Sequence, residues 1–252
     1  MTDELRARLS RGRTFAVLAY AVPPALGLTM VLLLVMASQG RAEVAQRISV
    51  AYAGWPGIIL AAAVVGALFR ADAPHNWPGG AGAFGAFAGF FTGMTAAAYV
   101  RDLPLPVVGL LMLVGTVAGF YLGWLPGRYA RAVVLQPFST DLADLPIEVP
   151  FPARGERSTV LRVGTIEIAV LGGRFPLEDV SWVGPHRIAI EGKQEFPGKE
   201  AKSVRLTPGA AVRFTTPTGD WVFPTDQDEE AVEVIQRRVD AARPLLDDEA
   251  SA

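Results

Sequence analysis

Two histidines are the first residues to weigh, because imidazole titrates near neutral pH and is the commonest side-chain metal ligand. His75 stands in RADAPHNWPGG, residues 70 to 80, three positions after Asp72, and His186 stands in GPHR. A His-Asp pair at that spacing could support acid-base work or one metal contact. No second cluster supplies a nucleophile or the missing ligands, so a polar interfacial loop is the favoured reading for His75 and a turn for His186. The chain of 252 residues has no cysteine, which removes disulfides, thiolate zinc sites, iron-sulfur clusters and cysteine nucleophiles. It has no phosphate-binding loop, no dinucleotide fingerprint following a strand, and no HExxH. The expectation is a non-enzymatic protein with no catalytic residue, no metal site and no cofactor.

The other spacing that stands out belongs to a residue with no side chain. In GAFAGFFTGM, residues 85 to 94, Gly85, Gly89 and Gly93 recur at every fourth position, and Gly115, Gly119, Gly123 and Gly127 repeat the pattern. At about 100° per residue, each set lines one side of a helix. Phe84, Phe87, Phe90, Phe91 and Met94 fall opposite the first set; Leu110, Leu113, Val117, Phe120, Tyr121 and Trp124 fall opposite the second. Lipid gives helices little hydrophobic reason to associate, so close backbone approach along small residues supplies much of the contact. Residues 101 to 103 leave only a tight turn between the two segments. The favoured reading is intrachain packing of smooth face on smooth face, with a homo-oligomer seam and a pore lining as alternatives.

These glycines sit on elements long enough to cross a bilayer, which takes about 20 residues of helix. The four candidate spans are Phe15 to Ala37, Ser49 to Phe69, Gly80 to Val100 and Pro104 to Leu125, and none holds an Asp, Glu, Lys, Arg or His. The first exceeds the roughly 7 to 15 residues of a signal h-region and is read as a retained helix. Pro23-Pro24 and Pro56-Gly57 predict kinks or interruptions. Counting flanking arginines, Arg6, Arg8, Arg11, Arg13, Arg70, Arg128 and Arg131 mark the cytoplasmic side, against Arg41, Arg47 and Arg101 outside. Both termini are therefore expected in the cytoplasm of a bacterial inner membrane; abundant alanine, with arginine far outnumbering lysine, suggests a GC-rich bacterial genome.

After the fourth span the composition changes. The expected division is a cytoplasmic tail at 1–13, a four-helix transmembrane domain at 14–126, and a juxtamembrane helix with a proline-rich linker at 127–156. A cytoplasmic β domain follows at 157–243, then an acidic disordered tail at 244–252. The candidate strands are Val160 to Leu171, Leu177 to Val183, Arg187 to Ile190, Ser203 to Thr207, Ala211 to Thr216 and Trp221 to Phe223. Gly172-Gly173, Gly184-Pro185, Pro208-Gly209 and Thr218-Gly219 are read as turns. A helix capped by Thr225 or Asp226 presents Val232, Ile235 and Val239 as its apolar face, with Glu233 four residues before Arg237.

The segments FPLEDVSWVGPHRIAI (175 to 190) and GDWVFPTDQDEEAVEVIQRRV (219 to 239) resemble the bacterial pleckstrin-homology-like domain of membrane-anchored proteins. The resemblance covers about residues 155 to 243. It implies a curved antiparallel sheet closed by one C-terminal helix, and binding or scaffolding with no reaction. The fold class expected is thus an α-helical transmembrane bundle of four spans plus a small antiparallel β domain of this kind.

Anionic-lipid recognition by that domain would need clustered cations, yet its arginines and lysines are interleaved with glutamates. Residues 191 to 202, EGKQEFPGKEAK, are the nearest to a basic patch, and Lys193, Phe196, Lys199 and Lys202 form the candidate partner-binding loop, with Phe196 at its tip. The expected partners are the lipid bilayer, another copy or another membrane protein through the glycine helices, and an unidentified cytoplasmic protein. Nucleic acid is not expected at a net charge of -2. The favoured function is a membrane adaptor or scaffold; the alternative is a small transporter or channel subunit with a regulatory cytoplasmic domain.

Overall fold

In the computed structural model, the described residues are 3–37, 54–69, 71–99, 103–197 and 202–249. The chain divides into two compact units: Arg6–Val134, and Leu135–Ala252 together with Met1–Leu5.

The first unit is helical. Helix α1 spans Asp3–Ala37, α2 Gly54–Phe69, α3 Trp77–Tyr99 and α4 Leu105–Leu135, with a short 3-10 turn at Pro74–Asn76 ahead of α3. Three of these segments, Asp3–Leu34, Pro74–Tyr99 and Leu105–Leu135, are long and apolar enough to cross a membrane, and Gly57–Leu68 is a shorter apolar helix. Residues 38–53, where the second expected span begins, lie outside the described residues, as do the tight turn at Arg101 and Asp102 and the flanking Arg41, Arg47 and Arg70. Two sequence expectations change. The residues read as an N-terminal tail are helical from Asp3, and α1 continues through Pro23 and Pro24. Likewise α4 runs through Pro126 as one helix of 31 residues where a span and a separate juxtamembrane helix were expected.

Small residues dominate this unit's interior. Ala19, Tyr20, Ala63, Ala67 and Ala81 form a buried cluster joined by Phe84, whose ring lies 5.7 Å from that of Tyr20. Leu110, Leu113, Val117 and Tyr121 of α4 and Phe87 of α3 are exposed, as apolar side chains facing hydrocarbon would be.

Among its described residues the second unit holds nine strands: β1 Val149–Ala153, β2 Glu156–Val163, β3 Glu167–Val170, β4 Gly173–Pro176, β5 Trp182–Ile188, β6 Gly192–Phe196, β7 Lys202–Leu206, β8 Gly209–Thr216 and β9 Gly219–Pro224. They form a four-stranded sheet in the order β1-β2-β3-β4, a three-stranded sheet β5-β8-β9, and the hairpin β6-β7, all antiparallel. Helix α5, Asp228–Glu249, ends the unit and contacts β5, β8 and the 3-10 turn Thr140–Asp144.

Several boundaries differ from the sequence reading, each for a local reason. The segment read as a proline-rich linker contains β1. Its burial alternates, with Val149, Phe151 and Ala153 inside and the two prolines between them turned outward. Because β1 is an edge strand, a missing N–H is tolerated there. The long first strand splits at residues 164 to 166, where Gly164 N–H donates to Glu167 O at 2.8 Å. Gly184-Pro185 is not a turn: β5 passes through it, paired with β8 from Trp182↔Thr215 to Ile188↔Gly209. The turn at Leu171-Gly172 has φ of 50° and 91°, a conformation glycine accepts at its second position without steric cost. Finally, α5 continues past Pro244 to Glu249, over residues read as a disordered tail.

Candidate functional site

The two glycine series meet inside the helical unit. A Cβ added at Gly85 would lie 2.8 Å from the Gly119 carbonyl carbon, and one at Gly119 would lie 2.8 Å from the Gly85 carbonyl carbon. Added at Gly89 it would stand 2.5 Å from the Gly115 carbonyl carbon, at Gly93 2.5 Å from Leu111 O, and at Gly123 2.6 Å from the Ala81 carbonyl carbon. At Gly115 it would come within 3.1 Å of the Gly89 carbonyl carbon. Every obstacle is backbone, which cannot rotate away, so α3 and α4 approach to a separation only glycine allows. Gly79 and Gly109, which lie off this register, have open space around them. The hydroxyls of Thr92, Thr95 and Thr116 donate to carbonyls of their own helices, those of Ala88, Phe91 and Met112, at 2.7 to 2.8 Å.

Asp72 and His75, read as parts of a polar loop, have the following surroundings. Asp72 Oδ1 accepts from Arg13 Nη2 at 2.9 Å, and His75 is half-buried in the 3-10 turn. No grouping of three or more His, Cys, Asp and Glu that could hold a metal occurs among the described residues. Arg8 donates to Val134 O at 3.0 Å and Val133 O at 3.4 Å. It places a cation on the carbonyl end of α4, where the helix dipole favours one. His186 is a mid-strand residue of β5 opposite Ala211, so its reading as a turn residue is corrected.

In the β unit the expected partner loop is the β6-β7 hairpin. Lys193 is exposed on β6 and pairs in register with Arg205. Lys202 opens β7 and Lys199 lies outside the described residues. Phe196 is 3% exposed, which corrects its placement at a protruding tip. Its ring stacks on Trp221 at 5.5 Å and meets Phe175 at 6.2 Å, while Phe175 also meets Phe214 at 5.3 Å. Strands of all three sheets thus share one aromatic cluster. The period-two pattern of β6, with Phe196 as its one buried member, is the signal that places this ring inside.

Two arginines were missed by sequence reasoning and organise the unit. Arg238, on the inward face of α5 with Ala231, Val234, Ile235 and Val239, is 4% exposed. Its guanidinium donates to the carbonyls of Val163 at 2.5 Å, Ile147 at 2.8 Å, Leu145 at 3.2 Å, and Leu142 and Ala143 at 3.3 Å. Burial pulls this guanidinium down to about 10, offset in part by the nearby carboxylates of Glu148 and Asp144, so it stays charged at neutral pH. Burial pushes the Glu148 carboxyl above its ordinary range, against the pull of Arg162 and other arginines. Arg154, at the end of β1 and start of its turn, donates to Asp226 at 2.5 Å, Pro208 O at 2.8 Å and Thr225 O at 3.0 Å, and to Ala210 O. The sequence held one clue, an arginine at the helical spacing of an apolar face.

Further arginines of this unit are engaged by its own carboxylates: Arg174 with Glu167, Arg205 with Glu191, Arg213 with Asp220, and Arg237 with Asp141 and Glu233. Hydrogen bonds from Thr215 and Arg213 hold the Asp220 carboxyl below its usual range. The surface also exposes large apolar side chains, Ile190 at 82%, Ile166 at 75% and Trp182 at 49%. Comparison with protein-family models, with curated proteins and with solved structures finds no match for this chain.

Proposed function

We propose that the chain is a non-enzymatic integral membrane adaptor or scaffold. In this reading four helices anchor it in a bacterial inner membrane and a cytoplasmic module of pleckstrin-homology-like architecture binds a protein partner. The observation that carries the reading is the surface of the β unit. Arg174, Arg205 and Arg213 are paired with carboxylates of the unit itself, while Ile166, Trp182 and Ile190 stand exposed. Such a surface suits contact with another protein better than attraction to anionic headgroups, which needs unopposed positive charge. A four-stranded meander followed by a second sheet and one closing helix supports the architectural part. The shorter apolar helix at Gly57–Leu68 supports a fourth span, because residues preceding it are also apolar.

The test is photo-crosslinking in cells from positions 182 and 190 of the full chain. Recurrent capture of one protein species is expected; capture of lipid alone would overturn the protein-binding reading. A reporter active only in the cytoplasm, fused after Ala252, is expected to be active, and silence would overturn the orientation. Solute or ion flux through vesicles holding the purified protein alone would replace the adaptor by a transporter or channel.

A further inference from the structure

Positive charge in the helical unit gathers at one end. Among its described residues Arg6, Arg8, Arg11, Arg13, Arg128 and Arg131 stand against Asp72 alone. The first turns of α1 lie along the last turns of α4. A Cβ at Gly12 would meet Ala130 O at 3.3 Å, and the rings of Phe15 and Tyr129 meet edge to face at 5.0 Å. Arg8 is engaged by α4 carbonyls and Arg13 by Asp72 through one nitrogen, whereas Arg6, Arg11, Arg128 and Arg131 are exposed.

One stripe of α1 at this end forms an open groove of ≈ 500 Å³. Arg6, Ser10, Arg13 and Thr14 line its polar part, and Val17 and Leu18 its apolar part. Thr14 donates its hydroxyl proton to Ser10 O at 3.0 Å, so its oxygen is left with acceptor capacity and the Ser10 hydroxyl and guanidinium groups are the available donors. Below Leu18 the exposed side chains Val22, Leu26 and Met30 continue along the same helix. The groove therefore passes from cations and hydroxyls to hydrocarbon along the axis of a helix long enough to cross a membrane.

The geometry points to a binding site for an anionic phospholipid on α1, its phosphate held by Arg13, Ser10 and Arg6 and its acyl chain lying on Val17 and Leu18. A zwitterionic lipid offers the same phosphate with an ammonium that these arginines repel, so the site discriminates by net headgroup charge. Asp72, at 74% side-chain exposure, competes for Arg13. Asp3 and Glu4, in the first turn of the same helix, limit the field beyond Arg6. The proposal rests on the membrane-spanning reading of α1.

The test uses the full chain reconstituted in vesicles of phosphatidylcholine containing spin-labelled phosphatidylglycerol or spin-labelled phosphatidylcholine. Carbonate extraction is run in parallel to score insertion. The wild type is expected to favour phosphatidylglycerol by about fivefold or more, since each basic residue near the surface contributes about that factor. The Arg6→Gln/Arg13→Gln variant should lose this preference while remaining inserted, and Arg6→Lys/Arg13→Lys should retain most of it. Asp72→Asn, which frees Arg13, should raise it. An inserted wild type with no preference, an unchanged preference in the glutamine variant, or abolition of the preference by millimolar inorganic phosphate at constant ionic strength would overturn the lipid site alone. Extraction of the wild type by carbonate would overturn the spanning reading and the site with it.

Discussion

Arg238 occupies a position where the periodicity of α5 asks for an aliphatic side chain, and the backbone around it explains why a cation stands there instead. The segment from Leu142 to Ile147 turns four carbonyls toward α5, of which those of Leu142 and Leu145 also accept a local backbone N–H, and one guanidinium, with its fixed fork of five N–H donors, binds all four. Buried carbonyls without donors cost as much as lost hydrogen bonds. Arg238→Met, which keeps most of the volume, should lower the unfolding free energy of the β unit by about 3 kcal/mol, measured by urea titration of the full chain. Arg238→Lys should recover only part of this, because an ammonium offers three donors from a single point. Glu148 gives a pH-dependent counterpart. Its folded carboxyl is raised by burial, so the folded state holds the proton to higher pH than the unfolded chain. The resulting stability is fully present below the unfolded carboxyl's titration and is lost as pH rises through the raised value. Glu148→Gln should therefore gain on the wild type as pH rises above the ordinary carboxylate range, and a mutant-minus-wild-type difference in denaturation midpoint that falls or stays level over that rise would contradict the assignment. Neither residue was legible as a site. An arginine in a charged run such as QRRVD reads as a solvated face, although its spacing from Val234 and Ile235 places Arg238 on the apolar side of the helix.

Elements were legible in proportion to how far their pattern is local. The glycine series of α3 and α4 could be read because a fourfold spacing is a property of one helix, and the structure brings the two series together. The prediction at this scale contrasts positions within a helix. Gly89→Ala and Gly85→Ala meet fixed backbone at short range and should destabilise the helical unit by about 1 to 3 kcal/mol. Gly79→Ala and Gly109→Ala, with open space around the new methyl, should be neutral or stabilising by up to about 1 kcal/mol. Thermal unfolding in one mild detergent compares the four directly. Strand β1 was not legible, because two prolines in five residues resemble extended linker, and only its edge position with outward prolines makes it a strand. The end of α5 was misplaced for the opposite reason: Pro244 reads as a stop, yet the helix carries it.

At the scale of the whole molecule, the boundary of the β unit moves. The sequence suggested a domain from residue 157, whereas the unit begins near Leu135 and includes the 3-10 turn Thr140–Asp144, Phe138 against Phe151 at 5.6 Å, and β1. A chain of residues 135–252 should fold on its own with dispersed amide resonances. A chain of residues 157–252 should not, since it lacks the edge strand and four of the carbonyls that Arg238 binds, those of Leu142, Ala143, Leu145 and Ile147. Comparable spectra from the two would show that the preceding segment is dispensable to the fold.

The glycine seam also limits what genetics can repair. Where Phe196 meets Trp221, a smaller residue on one side can be balanced by a larger one on the other, because side-chain volume is exchangeable across the contact. Between Gly89 and Gly115 there is nothing left to remove. A methyl gained on one helix has no second-site suppressor on the facing glycine, so screens for revertants of Gly89→Ala should return glycine itself or changes that loosen the two helices elsewhere.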